Sequence, residues 1–351
     1  SLNVPGEDFE GSFSATEFVA WYNGHPDFAD RQFDLSQESV AVVGIGNVAM
    51  DVARILCKTH EELAVTDMAD YALEALKKSK VKNVYILGRR GPAQAAFTPP
   101  EIKEMGEFAD ADVTVSAEEA TLDDASAAAL EASGDKNAQK NVAFVQEYAA
   151  RPNAGKSRQL TMRFLVSPTE LLGEGGKVTG IRLVKNKLVA GDDGSIRPTA
   201  TDEEEIIPVG LVFRSVGYLG QPLPEVPYNA DWGTILNNAG RVVDTDGSPV
   251  TGIYTAGWIK RGPTGVIGTN KTCAQETVGC MVEDLAAASI NIPEDPSVEG
   301  AESLVQERQP DSISYSEWLK IIEVEVSRGE AEGRPRVKLT SIPEMVKVAK
   351  S

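Results

Sequence analysis

The feature that most constrains this chain is a short apolar run, Ser39-Val40-Ala41-Val42-Val43, which ends in Gly44-Ile45-Gly46-Asn47-Val48-Ala49 and passes at once into a helical pattern. The run is short and rich in β-branched residues, as expected of a buried strand. From Asn47 to Lys58 the period changes, and Val48, Val52 and Ile55 fall on one helical face. Strand, glycine turn and helix in this order form the context that gives a GxGxxA sequence meaning. Gly44 permits a tight turn. Gly46 leaves the backbone bare, so a pyrophosphate can approach it. Ala49 lets helix and strand pack closely. The helix start presents unpaired N–H groups and a positive dipole end to an anion.

A second buried strand, Val84 to Leu87, ends in Gly88-Arg89-Arg90-Gly91. At this point an NAD site ordinarily carries an acidic residue for the ribose 2′-hydroxyl. Two guanidinium groups would instead attract a 2′-phosphate and grip it in bidentate fashion. The sequence therefore favours NADP over NAD.

A second glycine-rich loop, from Gly257 through Trp258 and Gly265-Val266-Ile267 to Asn270, follows a short strand at 253–257 and precedes a helix from about Lys271 to Ser289. So many glycines mark a place where backbone closely approaches something. Composition alone also allows a plain structural loop.

Elsewhere the pattern predicts helices at about Ala15–Asn23, Met68–Ser79 and Pro100–Ala109, and an amphipathic helix at Tyr315–Arg328 with Trp318, Ile321, Ile322 and Val326 inward. Strand-like segments fall at 161–166, 178–184, 195–198 and 205–215. Residues 116–140 read as an exposed, acidic helical excursion with little chemistry, 218–250 as loops and 294–312 as a linker.

The chain has 351 residues, enough for two domains, and a net charge of −19. That charge disfavours nonspecific nucleic-acid binding and anionic membranes. No apolar run approaches the roughly 18 residues of a membrane span, and no signal segment opens the chain. A cytoplasmic location, bacterial in type, or an organelle matrix is the default expectation. The three cysteines, Cys57, Cys273 and Cys280, form no CxxC pair and read as buried apolar residues. The two histidines, His25 in a turn and His60 near a helix end, are too few for a metal cage or a Ser-His-Asp triad. No metal site is expected.

With these motifs in view, the chain resembles the ferredoxin–NADP⁺ reductases of the adrenodoxin-reductase type, within the glutathione-reductase-like flavoproteins. The matching stretches are residues 18–26 (FVAWYNGHP), 42–56 (VVGIGNVAMDVARIL), 88–98 (GRRGPAQAAFT), 214–220 (RSVGYLG), 257–271 (GWIKRGPTGVIGTNK) and 333–339 (GRPRVKL). The resemblance implies an α/β fold: a Rossmann-like, three-layer NADP-binding domain at 1–220, then the C-terminal part of an FAD-binding domain with a helical tail at 221–351. It implies that Arg89 and Arg90 hold the 2′-phosphate and that Glu101 lies near the nicotinamide. It places Trp258 and Gly265-Val266-Ile267 against the flavin, with Gly265 also at the carboxamide. Glu101 would bond that carboxamide or relay a proton; an exposed acid suiting a helix start is the plainer alternative.

The activity implied is hydride transfer between NADP(H) and FAD, with single electrons passed to or from a ferredoxin-like iron–sulfur protein. The family begins with an FAD-binding strand–GxGxxG–helix unit, and the first fingerprint here is the NADP one. The chain therefore reads as lacking that N-terminal segment and as retaining FAD poorly. An acidic partner calls for a basic docking surface, for which Lys and Arg near 260–271 are candidates. Two other classes stay open: the electron-input module of a glutamate-synthase-like flavoenzyme, and a non-catalytic NADP(H)-binding fragment.

Overall fold

The computed structural model describes residues 1–191, 195–265 and 267–351, with the side chain of Ile267 also outside the description. The chain divides into two compact units, residues 1–216 with 313–351, and residues 217–312.

The first unit opens with β1 (Ser12–Ser14) and α1 (Ala15–Tyr22), started by a capping box of Ser14 and Glu17. Then come β2 (Ser39–Val43), α2 (Asn47–Cys57), α3 (His60–Ala64), α4 (Asp70–Lys77) and β3 (Asn83–Leu87). Next are α5 (Pro99–Met105), with proline in its first turn, β4 (Ala111–Val115), α6 (Ala117–Ala120), α7 (Asp124–Ser133) and α8 (Lys136–Ala150). The unit continues through β5 (Arg158–Arg163), β6 (Val166–Glu174), β7 (Lys177–Ala190), β8 (Ile196–Ile207) and β9 (Leu211–Arg214).

Among the described residues six strands form one parallel sheet in the order β1-β9-β2-β3-β5-β4, and β6-β7-β8 form an antiparallel sheet. Strand alternation sorts the core into two layers. Val40, Val42, Val84, Ile86, Leu160, Met162, Leu211 and Phe213 face the helices, where Phe18, Met50, Val52 and Ile102 are also buried. Ala41, Val43, Leu87 and Val212 face the antiparallel sheet and meet Leu171, Ile181, Leu183 and Ile207. Each large apolar side chain so buried contributes roughly 1.5–3 kcal/mol. The result is the expected α/β fold in three layers: helices, parallel sheet, antiparallel sheet.

Several expectations need correction. The segment 205–215 is two strands, because β8 ends at Ile207 and β9 starts at Leu211. The 116–140 stretch is mostly exposed, yet Glu119 and Ser126 are buried; Glu119 Oε1 and Oε2 accept from Arg163 Nε and the Phe164 N–H.

The second unit contains β10 (Tyr228–Asn229), β11 (Thr234–Ile235), β12 (Asn237–Asn238), β13 (Arg241–Val243), β14 (Pro249–Tyr254), α9 (Trp258–Arg261), α10 (Ile267–Ala286) and α11 (Val298–Arg308). The expected linker at 294–312 is therefore largely helix, started by Ser297, whose side chain accepts from the Gly300 N–H.

The tail, α12 (Tyr315–Glu332) and α13 (Ile342–Ala349), belongs to the first unit and not with residues 217–312, where the sequence placed it. The physical reason is Arg334. It is buried, its Nε and Nη2 donate to the carbonyls of Thr66 and Met68, and its Nη1 pairs with Asp70 at 2.6 Å. In α12 Ile321 is inward as expected, but Trp318 is exposed, and Glu325 takes an inward position because its carboxylate accepts from the Leu339 N–H.

Candidate functional site

The glycine turn and the arginine pair come together through strand register. β2 and β3 are parallel neighbours with Val43 opposite Leu87, so Gly44–Gly46 and Gly88–Arg90 leave the sheet side by side. In open parallel sheets the carboxyl ends of such strands are where ligands bind.

The two fingerprint glycines serve different ends. Gly44 stands at φ +136°, and a Cβ there would lie 2.0 Å from the Ser215 carbonyl oxygen, so the fold itself demands glycine. A Cβ on Gly46 would meet nothing within 4 Å. Packing does not require glycine there, and the space in front of it is open. Gly46 is the N-cap of α2, with no side-chain cap and no acidic residue in the first turn. Among the described residues no side chain caps this helix start, and its positive dipole end is left open to an anion. Asn47 Oδ1 accepts from the Thr98 N–H at 2.9 Å, and the Ala96 N–H donates to the Ile45 carbonyl at 2.9 Å, so residues 96–98 brace the turn. Val48 is half-buried and Ala49 fully buried against the core. Gly88 sits so close to Ile45 that a Cβ would lie 2.6 Å from its Cγ2.

Arg89 is exposed and Arg90 half-buried. Among the described residues neither guanidinium has a hydrogen bond or ion pair. Burial, and then the like charge of Arg89, pull the Arg90 guanidinium below its ordinary pKa. Two adjacent unpaired cations are a local cost that a dianion would relieve.

Glu101, in the first turn of α5, is half-buried and not a freely solvated acid: its Oε2 accepts from Arg54 Nη2. Arg54, on α2, also pairs with Asp51 at 2.5 Å and Glu104 at 3.0 Å, and Lys58 pairs with Glu104 at 3.2 Å. Burial opposes the charge on Arg54. The hydrogen bond and charge of Glu101, with Glu104 and Asp51, nonetheless hold its pKa above the ordinary value. Asp51 is raised by burial, which outweighs Arg54. Sequence reading missed this network. The one signal for it was Asp51 and Arg54 three residues apart, a spacing that lets side chains meet on a helix.

In the second unit Trp258 is exposed and stacked on Tyr218, with ring centroids 6.0 Å apart. Gly257, at φ +75°, precedes it as the N-cap of α9. Gly265 stands at φ +79°, and a Cβ there would lie 2.3 Å from Thr269 Oγ1. Val266 lies outside the described residues; Ile267 begins α10, and its side chain is not described. Of the basic residues near 260–271, Lys271 is exposed, but Lys260 and Arg261 are already engaged. Lys260 Nζ pairs with Glu276 at 2.5 Å, and Arg261 donates to the Thr264 carbonyl and to Asn270 Oδ1, both at 2.7 Å. These two therefore do not make the free basic surface expected near 260–271.

A glycine turn at one strand end, bare basic residues at the next and a three-layer α/β body define a Rossmann-like dinucleotide fold. No protein-family model matches the sequence. The chain is 42% identical over 352 residues to the NADPH-ferredoxin reductase FprA of Mycobacterium leprae, covering 99% of this chain and 75% of that protein. It is 38% identical to the mitochondrial NADPH:adrenodoxin oxidoreductase of Bos taurus, covering 99% of this chain and 71% of the relative. The solved structure of Mycobacterium tuberculosis FprA in complex with NADPH matches with a TM-score of 0.91 at 41% identity, over 100% of this chain and 76% of that one. The chain belongs to this family of NADPH-dependent ferredoxin and adrenodoxin reductases.

Proposed function

We propose that this chain is a ferredoxin–NADP⁺ reductase: it binds NADP(H) at the carboxyl ends of β2 and β3, exchanges a hydride between NADP(H) and FAD, and passes single electrons to or from a ferredoxin-like iron–sulfur protein. The observation that carries this reading is the pair of unpaired guanidiniums, Arg89 and Arg90, beside the uncapped start of α2. The N–H groups of Asn47, Val48 and Ala49 take the pyrophosphate, and the bare backbone of Gly46 lets it approach. Arg89 and Arg90 take the 2′-phosphate. The names of the relatives agree, since they bind NADPH and act on ferredoxin or adrenodoxin.

Glu101 is the residue for the nicotinamide end. Arg54 fixes one carboxylate oxygen, and the other remains to accept the carboxamide N–H. Trp258, Gly265, Val266 and Ile267 are assigned to FAD. The donor surface fits the group: an exposed aromatic pair, Trp258 and Tyr218, beside Gly262, where a Cβ would meet nothing within 4 Å. FAD, when bound, supplies the conversion between a two-electron and a one-electron carrier. Holding the rings close and in line is the protein's part, and no side-chain nucleophile is required.

The test is NADPH-dependent reduction of a ferredoxin by FAD-loaded protein, compared with NADH. Activity with NADPH that falls with Arg89→Ala is the expected result. Equal activity with both donors contradicts the assignment.

A further inference from the structure

The loop that carries Arg89 and Arg90 is held from an unexpected side. In the antiparallel sheet, β7 buries Ile181 and Leu183, and simple alternation would next bury Lys185. The pairing of β7 with β8 shifts register between Val184 and Asn186, and it is Asn186 that is buried, at 5% exposure. Its Nδ2 donates to the Arg89 carbonyl oxygen at 2.9 Å and to Ser167 Oγ at 2.8 Å. Its backbone N–H donates to the Leu165 carbonyl at 2.6 Å, and the Leu165 N–H donates to the Arg90 carbonyl at 3.2 Å. Leu165 makes this link from the left-handed region, at φ +58°, which a leucine adopts only when its surroundings hold it there.

The Arg89 carbonyl is thus tied to β7 of the antiparallel sheet and the Arg90 carbonyl to Leu165, just before β6, while the two guanidiniums have no partner among the described residues. Two like charges on a free loop would move apart. Here the backbone cannot follow that repulsion without giving up hydrogen bonds that are part-buried, which costs more than breaking fully exposed ones. The restraint is therefore set before any ligand arrives, and a preorganised pair of cations loses less on binding a phosphate than a loose pair would.

We propose that Asn186 is a positioning residue for 2′-phosphate recognition: it fixes the loop bearing Arg89 and Arg90, and through it the preference for a 2′-phosphorylated nicotinamide dinucleotide. This rests on the reading of Arg89 and Arg90 given above. Asn186 touches no part of the ligand in this role; it acts through the Arg89 carbonyl.

The experiment is calorimetric titration of the purified chain with NADP⁺, NAD⁺ and adenosine 2′,5′-bisphosphate, which carries the 2′-phosphate without the nicotinamide. The proteins are wild type, Asn186→Ala, Arg89→Ala and the double variant. Loss of the part-buried hydrogen bond to the Arg89 carbonyl predicts about a 5–10-fold rise in Kd for NADP⁺ and the bisphosphate in Asn186→Ala, with NAD⁺ changed less than about twofold. Adding Asn186→Ala to Arg89→Ala should weaken NADP⁺ by less than about twofold more, because both act on one interaction. A parallel loss for NADP⁺ and NAD⁺, or full additivity in the double variant, overturns the proposal by showing a purely structural role. Should Asn186→Ala not fold, Asn186→Ser carries the test: a smaller shift for NADP⁺ alone supports the proposal, and equal shifts overturn it. If Arg89→Ala leaves the NADP⁺ to NAD⁺ ratio unchanged, the site assignment fails and the Asn186 proposal with it. If Arg89→Ala collapses the ratio and Asn186→Ala does not move it, only the Asn186 proposal fails.

Discussion

Two glycine-rich loops with neighbouring basic residues occur in this chain, and each leads into a helix. In the first unit, Gly46 faces open space, and Arg89 and Arg90 stand without partners among the described residues. In the second, Gly265 is pressed against Thr269, Lys260 pairs with Glu276, and Arg261 is spent on Thr264 and Asn270. In composition the two loops look alike. They differ in whether the fold has already consumed the cations. A phosphate needs donors and charge that nothing else is using, so only the first loop is built to receive one.

The sharpest way to break this comparison is to remove the cations from each loop in turn. Arg89→Ala with Arg90→Ala should raise the Kd for NADP⁺ by about 100-fold or more, since each charge-assisted bond contributes about 1.5–3 kcal/mol. NAD⁺ should change by less than about twofold, because the 2′-hydroxyl offers these residues no charge. Arg261→Ala should leave NADP⁺ affinity unchanged and lower the melting temperature, as it removes bonds internal to its own loop. Calorimetry and a thermal scan on the same samples separate the two behaviours.

The two fingerprint glycines sharpen the contrast within the first loop. Gly44→Ala forces a methyl group onto the Ser215 carbonyl in a left-handed conformation, and should cost about 2–4 kcal/mol of stability as read by denaturant unfolding. Gly46→Ala puts a methyl group into open space. Stability should change by less than about 0.5 kcal/mol, while the Kd for both NADP⁺ and NAD⁺ rises about tenfold because the pyrophosphate is common to both. A Gly46→Ala protein that binds both dinucleotides normally would show that the space is not used by the ligand.

The smallest expected effect is one of salt. From 50 mM to 500 mM NaCl, NADP⁺ affinity should fall about severalfold more than NAD⁺ affinity, since Arg89 and Arg90 are accessible enough to be screened. A salt response of equal size for both would place the 2′-phosphate elsewhere.

Much of this contrast was legible before the structure. β2, β3 and α2 stand within a residue or so of where pattern put them, because a buried parallel strand is a short apolar run and the glycine turn marks its end. Other strands escaped notice: the short β1, β10 to β13 within the expected loops at 218–250, and the longer β4 and β6. β4, Ala-Asp-Val-Thr-Val, lies at the edge of its sheet and buries only alternate residues. In β6, Pro168, Thr169, Glu170 and Gly173 dilute the apolar signal, as an outer sheet with one wet face allows. The bond from Asn186 to Arg89 spans 97 positions and depends on a shift of strand register, which no local pattern encodes. Whether Lys260 and Arg261 are free or engaged is likewise a property of tertiary packing. Sequence shows where cations are, and the fold decides which of them remain available.

The assignment of Arg89 and Arg90 to the 2′-phosphate stands or falls on titrating this chain with NADP⁺ and NAD⁺ side by side in a calorimeter at one salt concentration. NADP⁺ should bind about 100-fold more tightly, and the difference should vanish in Arg89→Ala with Arg90→Ala. Equal affinities for the two dinucleotides in the unaltered chain would contradict it, and would make Arg89 and Arg90 ordinary surface residues.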